Sequence, residues 1–333
     1  MGLHTPIESH RPPQPFGVEI LDLRHFTSEH LRPLLENESR LWAKMMTWDY
    51  RSSAEMILRY IDSKILPGYA AVENGRVGGY TFFVYEGSKG VIGDLYADGS
   101  IHLPAESGET VESRLAAHVI ETLQRSPGVQ RIEAQLLPHE SGALAGPFLQ
   151  EGFRQHPRLF MMLPFDPDPQ LPIGEYRDID FRRWVEHDFQ PVSSAITHCY
   201  RGHIDSEIND QYRSLSGSLR FLNNIVRFPG CGNFDAHSSF VAVHRSSRSI
   251  VGLLLCSRVR DDVGHITQVC VLPQHRGRRI GESLIGLCSQ ELRNRNFAAL
   301  SLTVTEANSK AVDLYLRLGF SIRRKFDAFV WEG

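Results

Sequence analysis

No stretch of this sequence approaches the roughly 18 consecutive apolar residues of a membrane-spanning helix, and the opening MGLHTPIESHRPPQPF lacks the apolar centre of a secretion signal. A cytoplasmic setting without a membrane partner is therefore expected. Cysteine is scarce: there are five in 333 residues, all from Cys199 onward, with no Cys-x-x-Cys pair and no Cys/His spacing suited to zinc. That excludes a disulfide framework, fits a reducing compartment and gives no reason to expect a metal. A strong charge imbalance is also missing. Lys and Arg total 36 against 39 Asp and Glu, a net charge of −3, so no broad basic field points to nucleic acid. Any anion site has to be local. Nothing here fixes an oligomeric state.

What is present is enough chain for two domains. Residues 1–13 are polar and read as a flexible tail. The stretch from Phe165 to Gly174 places Pro167, Pro169 and Pro172 within six residues, so 166–174 reads as a linker between domains at 14–165 and 175–333. In the first of these, patterning predicts an edge strand at 18–23, helices through 28–63, strands at 69–72, 77–85 and 91–96, a helix at 109–125, a strand at 130–137 and a short helix at 141–150. The second begins with a strand near 176–181 and helices to about 228, followed by strands at 239–244 and 249–260.

The most informative stretch follows. An apolar run, Ile266 to Leu272, is closed by Pro273, and apolar spacing from Ile280 through Leu284, Leu287, Cys288 and Leu292 predicts a helix. Between them lies Arg276-Gly277-Arg278-Arg279-Ile280-Gly281. A helix start carries unpaired N–H groups and partial positive charge, so three arginines there are out of place unless an anion joins them. A phosphate or diphosphate would supply it, with glycine allowing close backbone approach. A solvated basic loop is the other reading. Residues 298–305 then read as a strand, and Asn308 caps a short helix that Gly319 stops.

The basic turn, with Asn308-x-x-Ala311-x-x-Leu314-Tyr315-x-x-x-Gly319-Phe320 after it, resembles the acetyl-CoA-binding core of the GNAT superfamily of N-acetyltransferases, over about residues 238–331. The resemblance implies an α/β (α+β) fold, each domain a mixed, mostly antiparallel sheet flanked by helices. It implies that Arg276, Gly277, Arg278, Arg279, Ile280, Gly281 and Asn308 hold acetyl-CoA, and that backbone N–H groups of Val269, Cys270 and Val271 polarise the thioester carbonyl. Tyr315 would protonate the leaving thiolate. His265 stands where many members carry a catalytic Glu and is either the base or an exposed strand-end histidine. One departure is Arg279, where the family usually has glycine; it serves if its backbone stays helical.

Setting Gly152-Phe153 beneath Gly319-Phe320 suggests a tandem repeat. Ser141 then replaces Asn308, Leu144 replaces Ala311 and Phe148 replaces Tyr315, while Glu106 and Ser107-Gly108-Glu109-Thr110-Val111-Glu112 occupy the place of the basic turn. The first domain is thus expected to be GNAT-like but degenerate, in an architecture distantly similar to that of mycothiol synthases. The expected partners are acetyl-CoA and a primary amine on a small molecule or peptide, with a turnover-free acyl-CoA sensor as the alternative. The polar patch Cys199 to Asp205, with Asn209, Gln211 and Tyr212, is the candidate acceptor surface.

Overall fold

Chain reversals are set by local chemistry. Asn74-Gly75, both left-handed (φ 51° and 80°), turn one hairpin, and Gly319 (φ 91°) ends the last helix. The computed structural model describes residues 17–227 and 232–333; the tail expected over 1–13 lies outside the described residues. The first half runs β1 (Glu19–Asp22), α1 (Ser28–Met46), α2 (Arg51–Asp62), β2 (Gly68–Glu73), β3 (Arg76–Glu86), β4 (Lys89–Ala97), α3 (Val111–Arg125), β5 (Arg131–Gln135), α4 (Ala145–Gln150) and β6 (Arg154–Pro164). The second half continues with β7 (Ile179–Arg183), α5 (Phe189–Cys199), α6 (Asp205–Ile208), α7 (Leu215–Arg227), β8 (Asn233–Phe234), β9 (Phe240–His244) and β10 (Ile250–Arg260). It ends with β11 (Val263–Val271), α8 (Ile280–Asn294), β12 (Ala299–Thr305), α9 (Ser309–Arg317) and β13 (Ser321–Glu332).

The helical stretch expected through residue 63 is interrupted where Thr47 turns left-handed and its N–H reaches back to the Trp42 carbonyl. Trp48 drops into the interior there, 7% exposed, against Phe160 of β6.

The strands form one continuous sheet in the order β1-β2-β3-β4-β5-β13-β6-β12-β11-β10-β9-β7, with β8 beside β10. The halves therefore exchange their last strands. β6 pairs with β12 from Ala299↔Pro164 to Thr305↔Arg158, and β13 pairs with β5 from Ala328↔Gln135 to Glu332↔Arg131. Patterning assigns neither strand, since both mix charge with apolar residues. Packing explains them: Leu159, Met161 and Leu163 of β6 enter the second half's core against α8, while Phe160 and Met162 face the Trp48 side. Phe329 of β13 stacks on Phe148 in the first half, ring centroids 4.1 Å apart.

Two irregularities shape the second half. β11 pairs with β12 in parallel only from Val263↔Ala299 to Ile266↔Leu302. Beyond that the strands diverge. Opposite β10, Ile266 faces Cys256 and Gln268 faces Leu255, so Thr267 is an extra residue, a bulge in β11.

Candidate active site

Strand divergence leaves a row of backbone groups facing a gap. Buried N–H and C=O groups need partners, and among the described residues no strand supplies them on the gap side of Thr267–Val271. The gap opens into a cleft of about 730 Å³, lined by β11 from His265 to Val271, by Leu302, Thr303 and Val304, by Arg276, Gly277 and Gly281 of the turn, and by Asn308 and Tyr315. Cys199, Tyr200, His203 and Asp205 form another wall, and Gln135 and Arg158 of the first half complete it. The bulge re-aims side chains: Val269 and Val271 pack with the α8 core, while Cys270 packs against the α5 cluster that holds Cys199. A smaller hollow of about 410 Å³ near α1 and α2 contains none of the motif residues.

At the turn, Gly277 is left-handed (φ 77°) and α8 begins at Ile280 without a side-chain cap, so its first N–H groups stay open. The Arg276 guanidinium donates to the carbonyls of Val271 (3.1 Å) and Cys199 (2.9 Å), fixing the turn to both walls of the cleft. Arg278 instead pairs with Asp178 at 2.6 Å, Arg279 is exposed beside Glu282 at 3.8 Å, and Ile280 is buried in the core. Of the six turn residues, Arg276, Gly277 and Gly281 line the cleft.

Arg279 is not helical, as its expected role required, but left-handed at φ 61°, the conformation a glycine takes without a Cβ clash. Since a non-glycine residue there costs roughly 1–2 kcal/mol, partly offset by glycine's chain entropy, Arg279→Gly should stabilise the fold by about 1 kcal/mol. Urea unfolding measures this, and a destabilised variant would contradict the strained backbone.

The corresponding helix of the first half is closed. Thr110 caps α3 by accepting the Ser113 N–H at 3.1 Å, with Glu109 and Glu112 alongside, and the Leu95 carbonyl of β4 is taken by His139 at 2.7 Å. The chain's own groups fill that place.

Tyr315 is 8% exposed, its ring against Phe320, and its hydroxyl has no hydrogen-bond partner among the described residues. Burial, with the Asp205 charge adding, raises its pKa and keeps the phenol protonated. Asn308 caps α9 by accepting the Ala311 N–H, and its amide lies 3.5 Å from His203 Nε2. His203 Nδ1 is 3.5 Å from Asp205, whose other oxygen accepts the Thr305 hydroxyl. A hydrogen bond with Cys199, then burial, pushes the Cys270 thiol up, a group unsuited to nucleophilic attack. Glu306 is engaged with Lys325 at 2.7 Å.

His265 is not an exposed strand-end residue. It is 4% exposed, 4.8 Å edge-on to Trp48 and stacked on Phe160. The Ser301 hydroxyl donates to the Gly264 carbonyl and so accepts from His265 Nδ1 at 2.9 Å, which leaves Nε2 as a bare acceptor. Burial, with the nearby Arg158 charge, lowers its pKa to about 3. The folded imidazole thus stays neutral where the unfolded one, at 6.5, takes up a proton. Stability should fall as pH drops from 6.5 toward 3, and His265→Gln should flatten that slope while keeping the Ser301 bond. Unfolding free energies at several pH values decide it; parallel curves for the two proteins would remove His265 from the acid response.

Residues 206–320 match the family model described as the acetyltransferase (GNAT) family. None of the curated proteins matches the sequence. Among solved structures, a GCN5-related N-acetyltransferase from Sphaerobacter thermophilus is 18% identical with a TM-score of 0.65, covering 95% of each chain. A tandem GNAT protein from the clavulanic acid biosynthesis pathway is 15% identical at TM-score 0.61, covering 95% of this chain and 98% of its own. A glucosamine N-acetyltransferase region of a fungal multi-domain β-N-acetylglucosaminidase is 16% identical at 0.63, over 96% of this chain and 38% of that one. At these identities the likeness is one of fold.

Proposed function

We propose, from the premise that residues 206–320 form an acetyltransferase domain of the GNAT family, that the chain transfers acetyl from acetyl-CoA directly to a primary amine in the cleft of its second half. The family match supports acyl transfer in general, and acetyl-CoA as donor, a primary amine as acceptor and the residue roles below complete the proposal. Bound acetyl-CoA would supply the activated acetyl group as a thioester. The open start of α8, with Gly277 and Gly281, suits a diphosphate, because its unpaired N–H groups open into the cleft that Arg276 also lines. Arg278 and Arg279, turned away from the cleft, serve at most from its rim. Gap-facing N–H groups among Val269, Cys270 and Val271 would receive charge developing on a carbonyl oxygen.

The observation that carries this reading is the Tyr315 hydroxyl. It is protonated, without a hydrogen-bond partner among the described residues, and in the same cleft as an uncapped helix start. It donates a proton to the departing sulfur. His265 works as a neutral group: its Nε2 accepts a hydrogen bond from the attacking amine or an intervening water, the proton the amine loses passes through water to solvent, and solvent returns one to the Tyr315 oxygen after it has protonated the sulfur. The acid limb of a rate profile therefore belongs to the amine and not to His265.

Calorimetry with CoA and a thiol-release assay with acetyl-CoA and a panel of amines test the function. Binding together with amine-dependent thiol release supports it. Binding without release would leave a sensor, and failure to bind CoA would dismiss both.

A further inference from the structure

Resting on the transferase reading above, we propose that the amine acceptor carries a carboxylate and that Arg158, supplied by the first half, recognises it. Strand alternation fixes where Arg158 sits. Leu159, Met161 and Leu163 of β6 turn toward α8, so Arg158 and Phe160 turn to the opposite face, beside Thr303 and His265. The buried face of α8 packs with Leu159, Met161 and Leu163, on the face opposite to Arg158. Arg158 therefore serves the acceptor side of the cleft and not the diphosphate.

Its contacts are incomplete in a way that points outward. Nη1 donates to Gln135 Oε1 at 2.6 Å, Nη2 lies 3.5 Å from Thr303 Oγ1, and the guanidinium stands 6.0 Å from the Phe326 ring centroid. Among the described residues no carboxylate comes within ion-pair distance of it, whereas Arg131, Arg154 and Arg213 share Glu332 a short way along the same region. Among the described residues the Arg158 Nε–H is buried without a partner, and so is the amide nitrogen of Gln268, another residue of the cleft wall. A part-buried guanidinium with an unmatched donor costs free energy that an anion with planar oxygen acceptors recovers. Both unmatched groups are donors, so the missing ligand brings acceptors. Asp205, the carboxylate in the cleft lining, already accepts the Thr305 hydroxyl.

Because Arg158 touches the acceptor and not the thioester, its effect is on selectivity. The test pairs amino acids with their amides as acceptors, adds phosphoethanolamine as a phosphate-bearing amine, and compares wild type with Arg158→Gln and Arg158→Lys. Wild type should prefer acids over amides by roughly tenfold or more in kcat/KM; Arg158→Gln should erase the preference with CoA affinity unchanged, and Arg158→Lys should restore part of it. Amides used as well as acids, phosphoethanolamine preferred to both, or a preference that survives Arg158→Gln would overturn the assignment and leave the transferase intact. If no amine releases thiol, the transferase reading has failed on its own, and thermal shifts with N-acetyl amino acids in the presence of CoA decide the carboxylate question. Stabilisation lost in Arg158→Gln supports it, and none, or an equal shift in both proteins, refutes it.

Discussion

Tyr315→Phe should lower kcat roughly tenfold or more while leaving the dissociation constant for CoA where it was. The substitution removes one oxygen that none of the described residues holds, so no partner among them is orphaned and the ring keeps its contact with Phe320. Any loss is then chemical. A thiolate leaving a carbonyl carbon needs a proton, and burial keeps this phenol in the acid form at every working pH. Steady-state rates with saturating acetyl-CoA, set beside calorimetry with CoA, make the comparison. An unaltered kcat would take Tyr315 out of the mechanism.

The second large effect concerns the strand exchange. Residues 175–333 made alone should fail to give a soluble, CoA-binding monomer, whereas the same fragment made together with residues 14–174 should bind. Without β6, the β12 edge is left unpaired and the sites of Leu159, Met161 and Leu163 become empty core. Each such side chain is worth about 1.5–3 kcal/mol on burial, so three exceed what a marginally stable domain can lose. β13 would meanwhile hang free of both its partners. Circular dichroism and co-purification report the outcome. A folded fragment 175–333 that binds CoA by itself would mean that β6 is dispensable.

These two predictions differ in how much of them the sequence carries. The Tyr315 site rests on short-range rules: a proline-closed strand, an apolar helix after a glycine-rich turn, and an asparagine cap, all within sixty residues and all near their expected limits. The polar patch from Cys199 to Asp205 likewise lies at the cleft, because its helix packs on the strand that bears Cys270.

Other features depend on partners distant in the chain. Nothing near Arg154–Pro164 states whether its neighbour is β5 or β12, since a strand with apolar residues on both faces satisfies either. His265 reads as exposed or catalytic until Trp48, more than two hundred residues earlier, is seen to cover it. Arg158 and Gln135 reach the cleft only through the exchange, so no local pattern marks them. The left-handed turn at Arg279 was hidden because an arginine at that position gives no conformational signal, whereas a glycine would have.

The order in which the strands enter the sheet also governs how the chain can be made. β5 is synthesised almost two hundred residues before β13, the neighbour that separates it from β6, so the amino-terminal half leaves the ribosome with its sheet still open. Closure waits for Ser321–Glu332, a contact of very long sequence separation and hence of slow formation. Nascent chains stalled short of Ser321 are accordingly the species most exposed to aggregation and most in need of a chaperone.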